Sequence, residues 1–109
     1  MPNVYKVLGQ VAPSATTATT AYTVPSATEA VLSTIVVCNR ASSAGTYRIA
    51  IRPDGATLAN SHYVAFDIAI AANDSTALTL GITVNAADVV TVYASSADMT
   101  FSIFGSEIS

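Results

Sequence analysis

Residues 31–40 read VLSTIVVCNR, the densest run of β-branched residues in the chain. Val, Ile and Thr favour strands, because a branched Cβ restricts χ1 and packs well on a pleated surface. Strict alternation fails within the run, since Ile35, Val36 and Val37 are apolar on both faces of a strand. A strand of this kind is usually covered on both sides. We therefore expect a central strand with one face in the domain core. The other face should meet a second layer, a terminal arm or another subunit.

Seven shorter runs on either side of this stretch also have strand character. The run at 47–52 alternates with Tyr47, Ile49 and Ile51 on one face and Arg48, Ala50 and Arg52 on the other. The run at 63–70 predicts an inward face of Val64, Phe66, Ile68 and Ile70 and an outward face of Tyr63, Ala65, Asp67 and Ala69. Further strands are expected near 4–11, 22–24, 78–84, 89–94 and 99–104.

Turn residues separate these runs at roughly 8–12-residue spacing, and no helical period is present. Residues 95–98 in particular read as a hairpin turn, and Gly9 and Gly81 predict bulges or close backbone approaches. The pattern is typical of an all-β fold, a single antiparallel β-sandwich or jelly-roll-like domain of about eight short strands.

We expect one domain over residues 1–109, with residues 1–24 as a candidate extended N-terminal arm. Residues 14–21 are a low-complexity stretch of Ala, Thr and Ser with no face to bury, so this segment should lie along a neighbour. Both termini would then offer edge strands that can pair across subunits.

The composition limits the classes of function. Charged residues make up 10% of the chain, against roughly 25% in ordinary domains, and the mean hydropathy is +0.51. No stretch approaches the roughly 18 apolar residues of a membrane span, and the N-terminus lacks the features of a signal peptide. The apolar excess therefore belongs in a core and in subunit interfaces. A net charge of −3 with four basic residues gives no surface for nucleic acid, so we expect neither nucleic-acid nor membrane binding.

No catalytic or metal-binding pattern is present in the sequence. His62 is the only histidine, and no nucleophile motif accompanies it. The aspartates are spread singly, mostly in turns, and no feature favours a carboxylate pair for glycoside hydrolysis. Cys38 stands alone in the central strand, where it suits a small buried apolar group. We expect no enzyme activity, no metal and no cofactor.

Three charged residues are candidate interface residues. If the strand at 46–53 pairs with that at 62–70, Arg48, Arg52 and Asp67 share the outer face of the hairpin. An Arg on a face of Ala and Thr is either solvated or contacts a carboxylate of another chain. Arg40, at the end of the central strand, could join them.

Three outward aromatic residues, Tyr63, Tyr93 and Phe104, allow two interpretations. They can form a platform for sugars or for a partner subunit, or they can be ordinary surface packing.

Five stretches together resemble small virion structural proteins of tailed bacteriophages, including those of cyanobacteria. They are LGQVAP at 8–13, YTVP at 22–25, STIVVCNR at 33–40, DVVTVYAS at 88–95 and FSIFGSE at 101–107. The resemblance covers most of the chain and implies a β-rich oligomer on a particle surface, often a trimer. It carries over no catalytic residue.

Within that family some members look like capsid decoration (cement) proteins and others like tail or fibre components. The resemblance therefore implies a decoration protein that contacts the major capsid protein, or another virion protein, at inter-capsomer junctions. It would be assembled in the host cytoplasm and located on the virion surface. A tail, neck or fibre adaptor is the alternative, and a carbohydrate-binding module is a further one.

Overall fold

A computed structural model describes residues 3–108, apart from the side chains of Asn3 and Leu80. Within that range the elements are β1 (Asn3–Val11), β2 (Thr19–Thr23), β3 (Glu29–Asn39), β4 (Gly45–Arg52), β5 (Tyr63–Ile70), β6 (Ser75–Asn85), β7 (Val89–Ala94) and β8 (Met99–Ile108). Two single-turn 3-10 helices, Pro53–Gly55 and Asn60–His62, lie between β4 and β5. In this part of the chain no helix is long and apolar enough to cross a membrane.

The strands form two four-stranded antiparallel sheets. Sheet A has the order β1-β8-β3-β6 and sheet B the order β2-β7-β4-β5. The chain passes from one sheet to the other at every connection except the β4–β5 hairpin. The turn at 95–98 therefore joins two sheets and closes no hairpin, contrary to expectation. This arrangement confirms the prediction of an antiparallel, jelly-roll-like β-sandwich.

The core lies between the sheets and is organised around β3, which sits between β8 and β6 in sheet A. Its inward side chains Leu32, Ile35 and Val37 are fully buried. Met99, Phe101 and Ile103 join them from β8, and Tyr47, Ile49, Val90 and Val92 from sheet B. Each of the large apolar side chains contributes about 1.5–3 kcal/mol by leaving water. Sheet B covers only the inner face of β3, so Val31, Val36 and Cys38 on its outer face are half-buried.

The predicted faces of β5 are wrong in the middle of the strand, at Ala65 and Phe66, whereas Ile68 and Ile70 pair with Tyr47 and Gly45 and keep the inward side. Val64, Phe66 and Ile68 are 48%, 51% and 43% exposed, whereas Ala65 packs against the core and only Ile70 is buried as expected. The register with β4 shifts twice, and Asp67 has a φ of 51° at one of the shifts. An extra residue at a bulge reverses the faces, since alternation then restarts one position later.

The N-terminal segment contributes two strands to the domain. Residues 3–11 pair with β8, and residues 19–23 pair with β7. Tyr22 and Val24 lie in the core. The residues expected to form an arm thus lie largely within the chain's own sheets, and contact of this segment with a neighbour stays a prediction. The C-terminal strand is not an edge strand, because β8 lies between β1 and β3.

The four edge strands of the described sandwich, β1, β2, β5 and β6, each contain a register shift, and that of β5 is described above. In β1 it lies between Val7 and Gly9, in β2 between Thr20 and Tyr22, and in β6 beside Gly81, where φ is +62°. The bulges predicted at Gly9 and Gly81 are therefore present. A Cβ on Gly9 would also overlap the carbonyl oxygen of Ala21, so this glycine permits a close approach of two strands. Bulged edges pair poorly with other strands, which disfavours edge-to-edge assembly.

Candidate interaction surface

The outer face of sheet B brings four residues singled out from the sequence together with Phe66 at the β5 edge. Arg48 on β4 is directly opposite Tyr93 on β7, and β5 supplies Tyr63, Phe66 and Asp67. We call these five residues the Arg48 cluster. The β4–β5 hairpin predicted from the sequence forms, and it places Arg48 beside Asp67.

Arg48 contacts three side chains of this cluster. Its Nε donates to Asp67 Oδ1 at 2.7 Å and its Nη2 to Oδ2 at 3.2 Å. Its guanidinium carbon lies 4.2 Å from the centre of the Phe66 ring and 4.3 Å from that of Tyr93. Arg48 thus pairs with a carboxylate of its own hairpin, and a contact of Arg48 with another chain stays a prediction. Arg48 therefore fixes the position of the aromatic rings around it.

The ion pair also sets the charge state of the cluster. The hydrogen bond from Arg48 lowers the pKa of the Asp67 carboxyl, and the same bond raises the pKa of Arg48. Asp67 is then ionised at neutral pH and cannot serve as a general acid. The arrangement suits binding rather than proton transfer.

An apolar stripe runs along β5 beside the fixed cluster. It consists of Val64, Phe66 and Ile68, each close to half exposed. Phe66 meets Tyr63 edge-on, with ring centres 4.9 Å apart, and a shallow depression is lined by these two rings and Asn60. Exposed apolar groups around a rigid centre are a usual feature of protein interaction sites.

The other two candidate arginines serve the local fold. Arg52 shares the outer face of sheet B, as predicted, and its Nε donates to Thr91 Oγ1 at 3.0 Å. Its Nη1 donates to the carbonyl oxygens of Gly55 and Ala56, which ties the β4–β5 connection to the sheet. Arg40 donates from Nη2 to the carbonyl of Ala97, at the turn before β8. Neither belongs to the Arg48 cluster, and an interface role for either stays a prediction.

Phe104 lies on the opposite side of the molecule from the other two aromatic candidates. It is on the outer face of sheet A, where it lines an open groove with Tyr5, Val7 and Val31. The predicted aromatic platform thus separates into Tyr63 and Tyr93 on sheet B and Phe104 on sheet A.

A polar contact closes the sandwich where β1 meets β2. Glu107 accepts a hydrogen bond of 2.5 Å from the Tyr22 hydroxyl and pairs with Lys6 Nζ at 2.8 Å. The pKa of Glu107 is lowered, first by the bond from Lys6 and then by that from Tyr22. No sequence pattern predicts this contact, because its three residues come from three separate segments of the chain.

The remaining titratable candidates hold turns. His62 Nδ1 accepts from the backbone of Ala59, and the Asp88 carboxylate accepts from the backbone of Asp54 and Asn85. Over the described residues no group of three or more His, Cys, Asp or Glu side chains could hold a metal ion.

The main residue missed from the sequence is Phe66, which alternation placed in the core. The single available signal is Asp67 within an apolar run, because Asp tolerates positive φ better than most residues and can mark a bulge. Comparison with family models and with curated proteins gives no match to this chain.

Proposed function

We propose that this chain is a structural protein of a tailed-phage particle, of the decoration (cement) type. It would bind the head shell at inter-capsomer junctions and reinforce it, with the major capsid protein as its partner. The observation that carries the proposal is the exposed stripe of Val64, Phe66 and Ile68 around the fixed Arg48 cluster. The resemblance of the sequence to small virion proteins is the reason for assigning the chain to a phage particle.

Three features support this role. The core is a closed two-sheet sandwich with bulged edges, which suits a protein displayed at high local density. The stripe and the rings beside it are apolar, and Arg48 is held in place before any partner arrives, so little side-chain entropy is lost on binding. Repetition over a lattice turns many modest contacts into strong overall attachment.

A tail, neck or fibre adaptor is the second candidate, since the same surface could dock on another virion protein. A carbohydrate-binding module is the third. It is favoured by the depression of Asn60, Tyr63 and Phe66, because amide and aromatic side chains together suit sugar rings.

Binding to particles tests the proposal. Purified chain is added to phage particles that lack it, and the bound fraction is measured by sedimentation. Wild-type protein should bind and Val64→Asp should bind at least about tenfold more weakly, because it places a charge in the stripe. Val4→Asp is a matched control, since Val4 is 47% exposed and lies on β1, away from the stripe.

Failure of the wild-type protein to bind, or equal binding by Val64→Asp, would contradict this role. Binding to glycans on an array, abolished by Phe66→Ala, would support the carbohydrate alternative.

A further inference from the structure

We propose that the outer face of sheet A is a two-fold contact surface for a second copy of this chain. We identify a second copy as the partner because of the charge and the size of this face. The inference does not rest on the proposed function, because self-association is a property of the isolated chain.

Four successive rows on the outer face of sheet A are uncharged, and the exposed Glu29 lies in the end row beyond them. The strand register gives these four rows: Tyr5, Ser106, Val31 and Thr83; Val7, Phe104, Thr34 and Thr79; Gln10, Ser102, Val36 and Ala77; and Thr100, Cys38 and Ser75. No Asp, Glu, Lys, Arg or His is among these fifteen residues. Solvated sheet faces normally carry charge, and the centres of protein interfaces are depleted in it.

The charged residues near sheet A lie at the margins of these four rows. Glu29 is exposed on the same face, in an end row with Ile108 and Asn85, and Arg40 follows β3 at the other end. Lys6 lines the groove at the β1 edge, and its Nζ pairs with Glu107 at 2.8 Å. A second copy with net charge −3 can therefore approach the four uncharged rows with its own charges at the margin of the contact.

The exposed groups on the face are apolar at one edge and neutral polar elsewhere. Tyr5 is 79% and Val7 49% exposed, and both line the groove with Val31 and Phe104. The remaining rows consist mostly of Ser and Thr, which can both donate and accept hydrogen bonds. Such a face is compatible with itself, as a two-fold contact requires.

The size of the face is sufficient for a specific dimer. Four strands spaced about 4.8 Å apart and eight residues of β3 rising about 3.3 Å each give an area of roughly 500 Å² per copy. Two copies would bury about 1,000 Å², which is the lower limit for a biological interface. Face-to-face packing also avoids the bulged edge strands, which disfavour assembly through backbone pairing.

Sheet B gives a contrasting surface. Its outer face carries Arg48, Arg52, Asp67 and Phe66, and the apolar stripe follows its β5 edge. A copy placed on it would have to align these charges, so we assign sheet B to another partner and sheet A to self-association. The resemblance to virion proteins implies a trimer, whose contacts would be heterologous. The dimer and the trimer differ in mass, so the mass in solution distinguishes them.

The test is the mass of the full chain in solution, measured by light scattering or analytical ultracentrifugation at micromolar concentration. The wild-type chain should have twice the monomer mass of 11.1 kDa. Val7→Asp should raise the dissociation constant at least tenfold, because it adds a charge to a surface that is desolvated on pairing. Val64→Asp is the matched control, since Val64 is a valine of 48% exposure on an edge strand of the other sheet, and it should remain a dimer.

A second measurement is independent of any variant. The thiol of Cys38 lies on this face, so its reaction with a thiol reagent should slow several-fold as the wild-type chain is concentrated above its dissociation constant. A monomer or a trimer in solution, equal weakening by both valine variants, a Val7→Asp chain that stays dimeric, or a thiol rate independent of concentration would each overturn the proposal.

Discussion

The Nε of Arg48 lies 2.7 Å from Oδ1 of Asp67, on the outer face of the β4–β5 hairpin. β5 bulges at this position, with φ of 51° at Asp67. The bulge leaves Phe66 and Asp67 both on the side of Arg48, and the guanidinium lies between Phe66 and Tyr93 as a result. A single backbone irregularity thus brings Phe66 to the same side of the sheet as the ion pair.

Substitutions at Arg48 and Asp67 should distinguish the contribution of the ion pair to stability from that of the backbone conformation at Asp67. Asp67→Asn keeps a residue that tolerates positive φ and removes only the charge, so it should lower Tm least, since both side chains are partly exposed. Asp67→Ala adds backbone strain and should lower it more. Arg48→Ala removes the pair and both ring contacts and should lower it most. Thermal unfolding by circular dichroism gives this order, and equal effects of Asn and Ala at position 67 would argue against strain at the bulge.

Two tyrosines should respond to the loss of their hydroxyl with opposite signs. Tyr47 is fully buried, and its hydroxyl has no hydrogen-bond partner among the residues that the structure describes, so Tyr47→Phe should stabilise the fold by about 1 kcal/mol. The Tyr22 hydroxyl bonds the Glu107 carboxylate, so Tyr22→Phe should destabilise it by about 1–2 kcal/mol. Urea unfolding measures both free energies of unfolding. A destabilised Tyr47→Phe would show that the hydroxyl is satisfied in solution.

Acid should remove the stabilisation that Glu107 provides. The pKa of Glu107 is lowered from its usual value near 4.5 by Lys6 and Tyr22, so its contribution is complete above that value and is lost as the pH falls through the lower folded pKa. Between about pH 5 and pH 3 the Tm of the wild-type chain should therefore fall more steeply than that of Glu107→Gln. At pH 7 this variant should be about 1 kcal/mol less stable. Parallel Tm curves for the two proteins would contradict the assignment.

Two glycines should differ in their tolerance of alanine. A Cβ on Gly105 would overlap the carbonyl oxygen of Val31 on the neighbouring strand, so Gly105→Ala should cost more than about 3 kcal/mol or prevent folding. Gly81 has open space around it and only a positive φ, so Gly81→Ala should cost about 1–2 kcal/mol. The comparison uses urea unfolding, and a Gly105→Ala chain as stable as Gly81→Ala would mean that β3 and β8 can move apart at little cost.

Removal of residues 1–24 should unfold the domain. The deletion takes Tyr22 and Val24 from the core and leaves β8 without its partner β1. A folded truncated chain, shown by dispersed amide signals in an NMR spectrum, would mean that this segment is an arm that the core does not need.

The sequence predicted those faces that the core determines. Along β4, β7 and β8, side chains of period two alternate between an inward and an outward row, and Tyr47, Val90 and Phe101 of the inward rows are buried. A one-residue slip in these strands would bury the polar side chains between them, so the pattern alone fixes their orientation. The shared outer face of Arg48 and Asp67 followed from the same alternation, provided that β4 pairs with β5.

Two kinds of feature could not be predicted from the sequence. The faces of β5 depend on bulges, and an edge strand with one exposed side tolerates a reversal that a central strand would not. The separation of Phe104 from Tyr63 depends on which sheet each strand joins, which is decided by contacts far apart in the chain. For the same reason the four uncharged rows on sheet A become visible only when β1, β8, β3 and β6 are placed side by side.

The copy number of this chain in purified phage particles, measured by quantitative mass spectrometry, tests the proposed function most directly. A decoration protein should be present in hundreds of copies, in fixed ratio to the major capsid protein. A few copies, or a few dozen, would contradict a place on the shell and support the tail or neck. Absence from the particle would contradict a structural role in the virion altogether.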